Sequence, residues 1–216
     1  MRRIGVLLSG CGAYDGSEIQ ETVLLVLALS RRGMDAAFLA PDVEQRDVVD
    51  HSTGDLLESA PPRGVLVEAA RIARGAVSPI HELPEALLDA LVIPGGMGTV
   101  KNLCLPGSGP LGLGDVRPEV ASLLGALAAR KAPVAALGLA QAVLRRHQGR
   151  PLDQEPVWVP SREVVVDEER RTLLTPGFMG TGDVEEVAEG IDRLVEHLAR
   201  WLGVHPGLKV KRGRPR

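Results

Sequence analysis

A chain of 216 residues, 44% hydrophobic and 25% charged, is long enough for one domain with a real core and has the composition of an ordinary globular protein. Only 2% of the residues are aromatic, which argues against a stacking platform for single-stranded nucleic acid and demands a core of closely packed aliphatic side chains. No stretch approaches a membrane span, the apolar run after Arg2 and Arg3 is too short for a signal peptide, and two cysteines without a pairing pattern point to a reducing cytoplasm.

The first predicted element is a strand, RIGVLLSG at 3–10, which ends in a glycine-rich loop. SEIQETVLLVLALSRRG at 17–33 follows as a helix, with acids in its first turn, apolar residues at helical spacing and Gly33 at its end. DAAFLAP at 35–41 reads as a second strand and VLVEAARIARG at 65–75 as a short helix. LDALVIPGG at 88–96 has no polar alternation, as suits a parallel strand buried on both faces. RPEVASLLGALAARK at 117–131 is a helix with Pro118 in its first turn, PVAALG at 133–138 a strand, and LAQAVLRRH at 139–147 the helix after it. Two strands about a charged turn are expected in 162–176 and an amphipathic helix in 183–203. Alternating strands and helices of this kind predict a doubly wound α/β sandwich, with a ligand crevice at the carboxyl ends of the strands.

The net charge of −3 is uneven. KVKRGRPR at 209–216 holds five of the 25 basic residues and no acid, so the body carries 20 basic against 28 acidic residues, or −8. Within that tail, Arg212-Gly213-Arg214-Pro215 matches the core of an AT-hook, whose arginines enter the narrow minor groove of A·T-rich DNA. A solvated basic tail on an acidic body explains the same residues.

Three glycine-bearing loops fall at the expected strand ends. SGCGAYDG lacks the spacing of a dinucleotide loop, so no nucleotide cofactor is expected. PGGMG at 94–98 is either a plain turn or a source of backbone N–H groups for an oxyanion. APVAALGLAQAVLRRH at 132–147 has the strand-turn-helix pattern of a nucleophile elbow, with Gly138 at the turn. Cys104 reads as a loose thiol in a loop, and scattered histidines and cysteines give no metal-ligand spacing.

RIGVLLSGCGAYDGSEIQETVLLVLALSRRG, LDALVIPGGMGTVKNL and VVVDEERRTLLTPGFM resemble the ElbB family, isoprenoid-biosynthesis or glyoxalase-like proteins with an amidotransferase-like domain in the ThiJ/PfpI superfamily. The resemblance implies a flavodoxin-like three-layer αβα sandwich of the class I glutamine amidotransferase type over residues 1–208, and a homodimer; the basic residues 209–216 read as a disordered tail. It implies that an elbow cysteine attacks small aldehydes, that a carboxyl of the first helix, carried over onto Glu18, partners the thiol, and that Gly95, Gly96 and Leu139 supply oxyanion donors. His51, Lys101 and Asn102 match family positions and read as loop anchors lining the crevice.

Two departures stand against that activity. The family's Cys-Ile-Ala-Pro is Gly138-Leu139-Ala140-Gln141 here, so no thiol stands at the elbow. The family's longer insert is reduced to RRHQGRPLDQEPVWVPS at 145–161, which leaves one side of the crevice open or differently covered. The expectation is a cytoplasmic, non-catalytic protein that binds a small molecule or a partner, without cofactor or metal and away from membranes. A glyoxalase-like enzyme acting through Cys11, seven residues before Glu18, is one alternative, and a DNA-associated protein acting through the tail is another.

Overall fold

The computed structural model describes residues 1–108, 112–150 and 159–204. The basic tail at 209–216 and residues 151–158 of the shortened segment at 145–161 lie outside the described residues, and so do the expectations placed on them.

Strand β1 (Arg3–Leu7) leads to helix α1 (Ile19–Arg31), and β2 (Asp35–Ala40) to α2 (Val65–Ala73) and the short β3 (Val77–Pro79). β4 (Ala90–Ile93) runs into α3 (Met97–Leu103), which is followed by the hairpin of β5 (Cys104–Pro106) and β6 (Leu113–Val116). Then come α4 (Pro118–Ala129), β7 (Val134–Leu137), α5 (Ala140–His147), the antiparallel pair β8 (Val165–Asp167) and β9 (Thr172–Thr175), and α6 (Val184–Trp201). β3, α3 and the β5–β6 hairpin add to the elements expected from the sequence; three-residue strands and a seven-residue helix are too short to show a period.

The main sheet has the order β3-β2-β1-β4-β7-β9-β8, parallel except for β8 against β9. Successive strand residues alternate between its two faces. Ile4, Val6, Leu8, Val92 and Leu137 meet α1, α2 and α6 on one side, whereas Leu7, Leu91, Ile93 and Ala136 meet α3, α4 and α5 on the other. The result is a three-layer αβα sandwich of flavodoxin-like type with two aliphatic cores. Each fully buried Leu, Ile or Val contributes roughly 1.5–3 kcal/mol, so the cores need no aromatic filling.

The strand order reverses between β1 and β4, where the chain leaves to opposite sides, and sheets of this kind bind ligands at such a switch point. The loops after β1, β4 and β7 all meet there.

Candidate functional site

β7 ends at Leu137 and α5 begins at Ala140, so the chain turns at Gly138, whose φ is +49°. Its N–H donates to Thr175 O at 3.0 Å, its carbonyl accepts the Gln141 N–H, and the elbow is thereby tied to β9 and to its own helix. An ideal Cβ on Gly138 would lie 3.2 Å from Glu21 Oε1. The carboxyl that faces the elbow therefore belongs to Glu21.

This corrects the placement of that role on Glu18. Glu18 is the N-cap of α1: its Oε2 accepts the Glu21 N–H at 2.5 Å, and its own N–H donates to Gly95 O at 2.8 Å. Burial raises the Glu18 carboxyl above its ordinary value, while the N–H groups of Glu21, Gln20 and Ile19 pull it down. Glu21 lies one turn further on, on the inner face of the helix, and is 2% exposed. Its Oε2 accepts from Gly95 N at 2.8 Å and its Oε1 from Phe178 N at 3.0 Å. Burial dominates and pushes this carboxyl up to about 7, against the pull of the two N–H groups and with a further push from Glu18.

Three glycines make room for it. A Cβ on Gly95 would sit 2.6 Å from Glu21 Oε2, one on Gly177 would overlap Glu21 Oε1, and Gly138 is the third wall. These glycines follow β4, β9 and β7, so one carboxyl gathers the ends of three neighbouring strands. Gly177 and Phe178 carry no local signal in the sequence, since their contacts with Glu21 join residues more than 150 positions apart. Ser161 braces that turn, donating its hydroxyl to Gly177 O at 2.9 Å.

The expected oxyanion donors are only partly free for such a task. The Gly95 N–H is committed to Glu21. Gly96, at φ +108°, caps α3 so closely against Gly16 O that no side chain fits, and Leu139 is half-buried at the first turn of α5.

Cys11 sits apart, half-buried near Glu68 and Arg71 of α2. Burial, then Glu68 and Asp15, push its thiol above the ordinary value against the opposing Arg71, the reverse of what a nucleophile needs. Cys104 begins β5 fully buried, with its thiol pushed up to about 11 by desolvation.

The anchors stand as follows. Asn102 is 1% exposed and makes three hydrogen bonds: Nδ2 donates to Ser9 O and Asp15 O at 2.8 and 2.9 Å, and Oδ1 accepts from Arg46 N at 3.0 Å. Lys101 forms an ion pair with Asp47. His51 stacks at a tilt on Tyr14, with ring centroids 5.1 Å apart. Beneath them Ser9, Ser17 and Thr99 form a buried chain of hydroxyls that ends on Pro94 O and Gly95 O.

Chemically, the elbow offers a sequestered carboxyl that exchanges a proton near neutrality but no thiol for it to serve. Among the described residues no group of three His, Cys, Asp or Glu could hold a metal ion, and no helix is long and apolar enough to cross a membrane.

No family model matches the sequence. A protein of Rattus norvegicus named "ES1 protein homolog, mitochondrial" is 31% identical over 229 residues, covering 93% of this chain and 84% of the relative. The chain belongs to the ES1/ElbB family. The "glutamine amidotransferase-like class 1 domain-containing protein 3, mitochondrial" of Homo sapiens is 46% identical to it over 101 residues, 47% of this chain and 37% of that protein. Among solved structures, an isoprenoid biosynthesis protein with amidotransferase-like domain from Ehrlichia chaffeensis superposes with a TM-score of 0.83 at 29% identity, over 92% of this chain and 99% of its own. Both relatives carry a mitochondrial name, which overturns the expectation of a cytoplasmic protein. That expectation rested on cysteine usage, and a pair of unlinked cysteines does not distinguish one reducing compartment from another.

Proposed function

We propose that this ES1/ElbB-family protein is a crevice-binding protein that does not carry out thiol catalysis. The observation that carries the reading is Gly138 at φ +49°, directly facing the Glu21 carboxyl. Nucleophilic attack on an aldehyde needs a sulfur at that point, and a Cα hydrogen cannot supply it. Cys11 is a poor substitute, since its environment favours the protonated thiol. What remains is a carboxyl held among backbone N–H groups, suited to hydrogen-bonding a small polar ligand or to fixing the loops on which a partner docks.

The test sets wild type beside Gly138→Cys, with glyoxal as substrate and iodoacetamide as thiol probe. Wild type should show no turnover, and the variant should gain iodoacetamide labelling at residue 138. Glyoxal turnover by wild type that disappears in Cys11→Ser would overturn the proposal in favour of an enzyme.

The reading includes a homodimer. Ile19, Val23 and Leu27 recur every fourth residue on the outward face of α1 and are all exposed. That face carries no charge between the N-cap Glu18 and Arg31. In an antiparallel pairing about a two-fold axis, Arg31 of one copy falls opposite the acidic N-terminal end of the same helix in the other.

A further inference from the structure

Beside the crevice a buried acid holds an oxygen without a partner. Asp15 is 3% exposed; its Oδ2 accepts the Val49 N–H at 3.1 Å, but its Oδ1 makes no hydrogen bond. An unsatisfied buried acceptor costs stability, so the structure around it needs a reason. The neighbouring polar atom is His51 Nε2, 3.6 Å away, on a half-exposed ring.

His51 has two other partners. Its Nδ1 is 3.2 Å from Val49 O, and the Tyr14 N–H donates to its Nε2 at 3.3 Å. A carbonyl only accepts and an N–H only donates, so these bonds describe a neutral ring with its proton on Nδ1 and a lone pair on Nε2. In that state Nε2 has nothing to offer Asp15. The gap between the two is kept open by Gly12, at φ +148°, where a Cβ would lie 2.5 Å from both Asp15 Oδ1 and His51 Nε2.

We propose that His51 and Asp15 form a proton-operated latch on the crevice loop, in which protonation of Nε2 exchanges the Tyr14 N–H bond for a bond to Asp15 Oδ1. One proton from solvent adds to Nε2, and the new N–H meets the orphaned oxygen. Tyr14 is exposed, so its freed N–H passes to water at little cost. The charged groups nearby leave Asp15 as the acceptor within reach. The Asp50 carboxylate is turned onto the N–H and hydroxyl of Ser52, whose bonds hold it below its ordinary value. On α2, Glu68 and Arg71 are paired with each other across from Cys11.

The latch acts on a loop that is tied to both ends of α3. Ala13 O accepts the Met97 N–H at 2.7 Å at the start of α3, and Asn102 grips Asp15 O from the other end of that helix. Release of Tyr14 therefore loosens the outer lip while Asp15, newly satisfied, tightens the inner one.

The test follows the ring of His51 and the amide of Tyr14 by NMR in the full chain from pH 5 to 8. The Tyr14 amide should shift with the same midpoint as the His51 ring, and its hydrogen-exchange protection should fall severalfold on the acid side. Asp15→Asn should move the His51 midpoint to lower pH, because the oxygen that receives the new N–H loses its negative charge. His51→Gln should leave the Tyr14 amide without that transition. A Tyr14 amide that stays unchanged while His51 titrates, or a His51 midpoint that is the same in Asp15→Asn, overturns the latch. If Asp15→Asn fails to fold, wild type and His51→Gln decide it alone.

Discussion

Replacing Glu21 with Gln tests whether the carboxyl at the elbow is protonated in the folded protein. The ordinary value of 4.5 applies in the unfolded chain, and burial holds the folded carboxyl at about 7. Below 4.5 both states carry the proton and the fold loses nothing. As pH rises the unfolded chain ionises first, so stability is lost progressively and the loss is complete once pH passes the folded value. The gap is worth about 3 kcal/mol in total, most of it between pH 5 and 8. Gln cannot ionise, but its amide meets two N–H donors, those of Gly95 and Phe178, with only one oxygen. The variant should therefore start about 1–3 kcal/mol less stable at pH 5. It should then draw level with wild type, or pass it, by pH 8. Urea unfolding of both proteins at several pH values measures this, because titrating groups that do not touch Glu21, including His147 and His197 with values lowered by burial, cancel in the difference, and only its neighbour Glu18 does not. Parallel curves for the two proteins would show that the caged carboxyl is ionised throughout and that its N–H donors outweigh its burial.

Three further changes probe the parts that hold the site and the surface beside it. Gly177→Ala places a methyl on Glu21 Oε1 at a φ of +55°, and should lower stability by about 3 kcal/mol or more, seen as a fall in Tm. Asn102→Ala removes three hydrogen bonds, two of them buried, and leaves Ser9 O, Asp15 O and Arg46 N without this partner, a loss of about 3 kcal/mol in urea unfolding. Val23→Glu puts a charge in the middle of the uncharged α1 face; sedimentation should show a wild-type dimer become a monomer with an unchanged circular dichroism spectrum, and a wild type that is already monomeric would remove the dimer from the reading.

Much of the fold was legible because its signals are periodic. The uninterrupted apolar run at Ala90–Ile93 and the stripe of α6 each announce one element, and both are where the sequence places them. The elbow was legible for the same reason, as a buried strand that runs into a helix through glycine. The carboxyl was not. Glu18 and Glu21 both stand at the start of α1, and only the position of the cap decides which one points inward. A residue whose side chain caps the helix turns back along the backbone, so the acid three residues later occupies the first inward-facing position. Gly177 and Asp15 were hidden for a different reason: their roles exist only across chain separations of 156 and 34 residues, to Glu21 and to Val49, and no local pattern encodes such contacts.

The cage around Glu21 also explains how a buried carboxyl stays in place without a thiol at the elbow. If the carboxyl served only to partner a thiol, nothing would hold it in place where Gly138 stands at the elbow, because an acid at 2% exposure is costly to bury. Here it accepts from Gly95 and Phe178 and packs against three glycines at the ends of β4, β7 and β9. Those bonds do not depend on a sulfur at residue 138, so the strand ends stay gathered without one. The same logic sets the cost of restoring the thiol. Gly138→Cys must accept a φ of +49° and a Cβ 3.2 Å from Glu21 Oε1, a strain of about 1–3 kcal/mol that a fold of ordinary stability tolerates. The variant should therefore fold, which makes its reactivity, rather than its stability, the measure of what the crevice still can do.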